Sequence, residues 1–166
     1  MKQLVVQGVL IGVLATIVLD IWAAFVKHVL HLPTANWAFV GRWIGHMPRG
    51  VFKHTHVADS EPIRHELAIG WATHYAVGIV YGITYLVIVV SLLSTQPTLI
   101  SALVFGLATI VAPWFIMQPG MGAGICASRT PRPNLMRMIN VSMHTVFGLS
   151  LYAAWLLVHG RFRLDV

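Results

Sequence analysis

The chain has 166 residues, of which 57% are apolar and 10% charged, against about a quarter charged in an ordinary soluble domain. That balance excludes a soluble globular domain, a disordered chain and a disulfide scaffold. Eleven basic residues against five acidic ones give a formal charge of +6, which reads as membrane topology, with no nucleic-acid partner, and the single cysteine, Cys126, permits no internal disulfide.

A bilayer core takes about 20 apolar residues as helix. The first such run covers 4–27 and is broken only by Asp20. It is longer than the apolar core of a signal peptide, and no small-residue cleavage site follows, so a retained span is expected. From Leu67 to Ser128 there is no Asp, Glu, Lys or Arg, and the turn Ser94-Thr-Gln-Pro97 divides that stretch. Spans over 66–93 and 98–117 follow. The fourth span covers 136–159. Lipid leaves backbone groups no partner outside the segment, so the runs are helices. The expected fold is an all-α membrane protein: one domain over 1–166, a four-transmembrane-helix bundle with a short interfacial amphipathic helix after the first span.

That interfacial helix belongs to the loop 28–65. Pro33-Thr34 can start it, Trp37, Val40, Ile44 and Met47 recur at helical spacing, and Pro48-Arg49-Gly50 ends it. Arg42 and His46 are expected to face the headgroups, and His54 and His56 to lie in a solvated return. The loop 118–135 carries Gly120, Gly122 and Gly124 without charge until Arg129. It lacks the Walker pattern, and no strand precedes the glycines, so a sharp, closely packed turn is expected in place of a phosphate cradle.

Four spans put both termini on one side. Lys27, Arg42, Arg49, Lys53, Arg64, Arg129, Arg132 and Arg137 flank the two loops, while only Lys2, Arg161 and Arg163 flank the other side. The positive-inside rule then places the loops in the cytoplasm and both termini in the periplasm of a bacterial inner membrane.

Two blocks are distinctive: Gly41-Arg-Trp-Ile-Gly-His-Met-Pro-Arg-Gly-Val-Phe-Lys-His54 and Met117-Gln-Pro-Gly-Met-Gly-Ala-Gly-Ile-Cys-Ala-Ser-Arg-Thr-Pro-Arg-Pro-Asn134. With Gly70-Trp-Ala-Thr-His-Tyr75 and His144-Thr-Val-Phe-Gly148, they resemble a bacterial integral-membrane family, domain of unknown function 2938. The resemblance covers nearly the whole chain. It implies a compact four-span inner-membrane protein and carries over no activity and no functional residue.

Ionisable groups within a span are costly and are functional candidates by default. Asp20 lies seven residues before Lys27, His74 ten after Arg64, and His144 seven after Arg137. At 1.5 Å per residue, all three sit about 10–15 Å in from the same side. Their convergence inside the bundle is expected. The first span adds a small-residue stripe of Gly8, Gly12 and Thr16 ending at Asp20. The second and fourth share a pattern, His74–Gly78–Tyr81 and His144–Gly148–Tyr152, which suggests a weak internal repeat.

Three function classes stay open. Two histidines at one depth can hold a b-type haem, with Gly78 and Gly148 leaving room for the porphyrin and Tyr81 and Tyr152 bounding it. Asp20, His74 and His144 can alternatively bind a divalent metal ion, with His46, His54, Met117 and Met121 at the mouth. A second class is a small transporter or proton-coupled permease working as a homo-oligomer, since Asp with His is a familiar proton relay. The third is an accessory subunit of a larger membrane complex, docking through residues 34–48. Small-residue stripes and polar pairs also serve simply as glue between helices, at up to about 1–2 kcal/mol per bond. No nucleophile elbow, HExxH or paired carboxylates occur, which points away from an enzyme without closing that question.

Overall fold

The computed structural model describes residues 1–160. The described residues are helical without a strand. Four helices are long and apolar enough to cross a membrane: Lys2–His28, Glu66–Leu92, Leu99–Met121 and Pro133–His159. Each agrees with an expected span to within a few residues. In finer terms α1 is Lys2–His28, α2 Trp37–His46, α3 Glu66–Leu86, α4 Leu99–Ala108, α5 Gln118–Met121 and α6 Pro133–His159. Arg161 and Arg163, counted above for sidedness, lie outside the described residues.

α3 runs on into a π-helical stretch, Val87–Leu92. The chain then turns at Ser94, which takes a left-handed φ of 49°. α4 starts with a capping box: the Thr98 hydroxyl accepts from the Ser101 backbone N–H, and the Ser101 hydroxyl accepts from that of Thr98. Pro113, with no N–H to give the ladder, opens a second π-helical stretch, Pro113–Met117.

α2 departs from expectation at its start and in the burial of two side chains, and it ends where expected. It starts at Trp37, because the Asn36 side chain accepts from the Ala38 N–H and caps it there. It ends through a 3₁₀ turn, Met47–Arg49, closed by Gly50 at φ 78°. Arg42 and His46, expected at the headgroups, are both buried. The physical reason is partnership: each finds a buried polar partner, described below, which removes the cost of leaving water.

The described chain divides into two compact units. Unit 1 comprises 1–32, 75–109 and the described residues from 141 on; unit 2 comprises 33–74 and 110–140. Unit 1 holds an apolar core of Ile11, Ala15, Tyr85, Leu86, Val89, Ala102, Phe147 and Leu151. Its outward positions are large and apolar, including Ile21, Val80, Ile100, Val104 and Leu157. A lipid solvent would make such a surface costless.

Candidate functional site

Unit 1 brings its helices together through glycine. A Cβ added at Gly12 would run into the Gly78 carbonyl, one at Gly82 into the Gly8 carbonyl, and one at Gly78 into the Thr16 hydroxyl. The small-residue stripe of α1 therefore sits backbone to backbone against α3. Thr16 returns its own hydroxyl to the Gly12 carbonyl at 2.8 Å.

One turn beyond Thr16, the same face carries Asp20. Three residues before Gly78, α3 carries Tyr75. The close crossing brings them together: the Tyr75 hydroxyl donates to the Asp20 carboxylate at 2.8 Å. Both residues lie inside helices apolar enough to span a membrane. The sequence reading singled out Asp20 and missed Tyr75. Its signal was there, since Thr16 to Asp20 and Tyr75 to Gly78 are single helical turns from one contact point.

His144 has a defined tautomer. The Thr109 hydroxyl donates to the Gly106 carbonyl at 2.5 Å. The His144 Nδ1 lies 2.8 Å from that hydroxyl oxygen and 3.2 Å from the same carbonyl. Both neighbours then act as acceptors, so Nδ1 carries the hydrogen and Nε2 keeps the lone pair. The contact exists because Gly106 and Gly148 let α4 and α6 touch; a Cβ at either would strike the other helix's backbone.

These contacts bear on the porphyrin reading. Gly78 and Gly148 were expected to leave space beside His74 and His144, but that space is filled, by α1 and by α4. Tyr81 meets Phe105 and Phe147 edge-on at 6.2 Å each, and Tyr152 stacks on Trp155 at 6.0 Å. All three aromatic contacts are those of a packed core. Among the described residues, no three His, Cys, Asp or Glu side chains are gathered so as to hold a metal ion. A metal set of Asp20, His74 and His144 finds no support there.

Unit 2 is built differently. His74 stacks on Trp37 with ring centroids 4.0 Å apart and meets Trp71 edge-on at 5.8 Å. Arg42 forms a two-armed ion pair with Glu66, Nε to Oε2 and Nη2 to Oε1, both 2.9 Å. Its Nη1 donates to the carbonyls of Val57, Ala58 and Ser60 at 2.9–3.3 Å. The Glu66 carboxylate holds the guanidinium above its ordinary pKa, chiefly through this hydrogen bond. His46 and His54 face each other, Nδ1 to Nε2 at 2.8 Å.

The loop 118–135 packs as closely as its glycines suggest. A Cβ at Gly120 would strike the Trp43 indole, and one at Gly122, which has φ 94°, the Thr55 carbonyl. The Gln118 amide donates to Asn140 at 3.2 Å. Met117 ends the π-helical stretch and Met121 the short α5.

A family model described as protein of unknown function, DUF2938, matches residues 9–158. The chain belongs to that family. No curated protein and no solved structure matches it.

Proposed function

We propose that this DUF2938 member is a proton-coupled protein of the bacterial plasma membrane, in which Asp20 takes up and releases the proton. The observation that carries this reading is the Tyr75 hydroxyl donating to the Asp20 carboxylate at 2.8 Å within apolar helices. A carboxylate at that depth is costly unless bonded, and it is a functional candidate by default.

The chemistry follows from donor count. With Asp20 charged, the tyrosine gives its only hydrogen to the carboxylate. With Asp20 protonated, the acid keeps an acceptor oxygen for the phenol but the bond loses its charge assistance and weakens. That weakening occurs where α1 and α3 already touch at Gly12 and Gly78, so charge at Asp20 biases the packing of two helices.

Four spans are few for alternating access, which supports a working homo-oligomer. The eight basic residues flanking the two loops support cytoplasmic loops and periplasmic termini. A haem or metal centre is the weaker reading, given the filled glycine sites, and an accessory subunit docking through residues 34–48 loses ground because α2 spends Val40, Trp43 and His46 on burial within unit 2.

The test uses the full chain in liposomes that contain a trapped pH dye. After an external acid pulse, wild type should admit protons faster than protein-free liposomes, and Asp20→Asn should fall to their level. Equal rates for wild type and Asp20→Asn reject the proposal. A Soret band in the purified protein, lost in His74→Ala and His144→Ala, would replace it with haem.

A further inference from the structure

The His46–His54 pair belongs to no part of the proton-carrier reading. His46 ends α2, and His54 sits in the segment that follows. They are 7% and 9% exposed, with ring centroids 5.1 Å apart. Their contact is one of several that stitch 51–55 down. The His54 N–H donates to the Gly120 carbonyl at 2.8 Å, and the Trp43 indole donates to the Phe52 carbonyl at 2.8 Å. Thr55 lies against Gly122.

The remaining ring nitrogen decides the chemistry. His54 Nδ1 is buried and has no hydrogen-bond partner. With both rings neutral, one arrangement suits this site: His54 Nε2–H donates to His46 Nδ1, and the orphaned His54 Nδ1 is a bare lone pair. The opposite arrangement places an unpaired N–H in the interior. Adding a proton removes the choice. Whichever ring carries the charge, a preserved contact requires a hydrogen on His54 Nδ1, with no acceptor there. A second proton sets two N–H groups face to face at 2.8 Å. The closed pair therefore binds fewer protons than the opened one, so falling pH favours opening.

The charge nearby is divided. Arg42 precedes His46 by one turn and is paired with Glu66, whose carboxylate also favours a charged His46, while His54 Nδ1 has no partner to receive a hydrogen. The turns packed on α2 bring Arg49 and Asp59, both exposed, and α5 brings no charged group. Lys53 and His56, beside His54 in sequence, are exposed.

We propose that His46 and His54 form an acid-opened latch, so that protonation releases segment 51–55 from α2 and from the 118–122 turn. The ligand sensed is the proton itself. The latch would make the loop face of the molecule respond to the pH of its own compartment, independently of Asp20.

Backbone hydrogen exchange of 51–56 in the full chain tests this, read by mass spectrometry and corrected for intrinsic exchange. Between about pH 7.5 and pH 5, where imidazole takes up its proton, wild-type protection should fall about tenfold, as for one lost bonded contact. His54→Gln should weaken that dependence, and His56→Gln should leave it intact. Wild-type protection that does not change with pH overturns the latch without recourse to any variant. So does a pH response that His56→Gln abolishes, or one that a metal chelator removes. Proton flux through Asp20 is read separately, so neither result depends on the other.

Discussion

Unit 1 and unit 2 both bring their helices together through glycine, and they differ in what buried polar side chains add. In unit 1 the close approaches are backbone on backbone, at Gly8, Gly12, Gly78 and Gly82 and again at Gly106 and Gly148. Unit 2 has such approaches too, with Gly41 against the Glu66 carbonyl and Gly70 against the Trp37 carbonyl, and adds a network of buried polar side chains: Arg42 on Glu66 and three carbonyls, His46 on His54, and Trp43 on Phe52. The difference follows from local structure. Long apolar helices satisfy their own backbone and, in lipid, gain little from apolar burial, so small residues and close packing hold them. Short helices and turns leave carbonyls and N–H groups over, and side chains must serve them. The two proposed devices divide along the same line, the Asp20–Tyr75 pair in unit 1 and the His46–His54 pair in unit 2.

If that contrast is real, substitutions should separate the units. The largest effect is expected at Arg42→Ala, which strands the Glu66 carboxylate and three carbonyls. Unfolding in micelles should show a loss of about 3–5 kcal/mol, as when one partner of a buried ion pair is removed. Replacing both partners, Arg42→Met with Glu66→Leu, should recover much of that loss, because no charge is left unpaired. A double variant as unstable as the single one would mean that the carbonyl bonds of Arg42, and not the ion pair, hold this region.

Next comes Gly12→Ala, a single methyl in unit 1. It would meet the Gly78 carbonyl and should cost about 1–3 kcal/mol by overpacking, in the same unfolding assay. Gly160→Ala, whose Cβ would have its nearest neighbour at 3.6 Å, is the control and should be nearly neutral. The smallest measurable loss, apart from that control, is expected at Trp43→Phe. It keeps most of the ring against Gly120 and deletes the bond to the Phe52 carbonyl, costing about 1 kcal/mol. Gly12→Ala as mild as Trp43→Phe would remove the distinction between the units.

Much of unit 1 was legible in the sequence because its physics is periodic. Runs free of charge fixed the spans, the Ser94–Pro97 turn divided the long stretch, and Gly8, Gly12 and Thr16 announced the face of α1 that meets α3. Tyr75 escaped because a tyrosine next to a histidine on a span reads as bulk, and only the register of two crossing helices brings it to Asp20. Unit 2 was harder for a related reason. An amphipathic pattern assigns Arg42 and His46 to water, and nothing local to α2 reveals partners that stand 24 and 8 residues away in sequence. The helix start was misplaced by the same kind of error, since Pro33-Thr34 is a good signal and Asn36 a better cap. The room expected beside Gly78 and Gly148 was misjudged because a glycine's sequence position does not say whether a ligand or another helix will fill the gap.

The central claim is that Asp20 changes protonation while bonded to Tyr75. Infrared difference spectroscopy of the full chain in lipid, taken between neutral and acid pH, reads the carboxyl carbonyl directly. The account predicts a protonated-carboxyl band that is absent in Asp20→Asn and shifted in frequency by Tyr75→Phe. A spectrum with no band lost in Asp20→Asn, or a band indifferent to Tyr75→Phe, would contradict it.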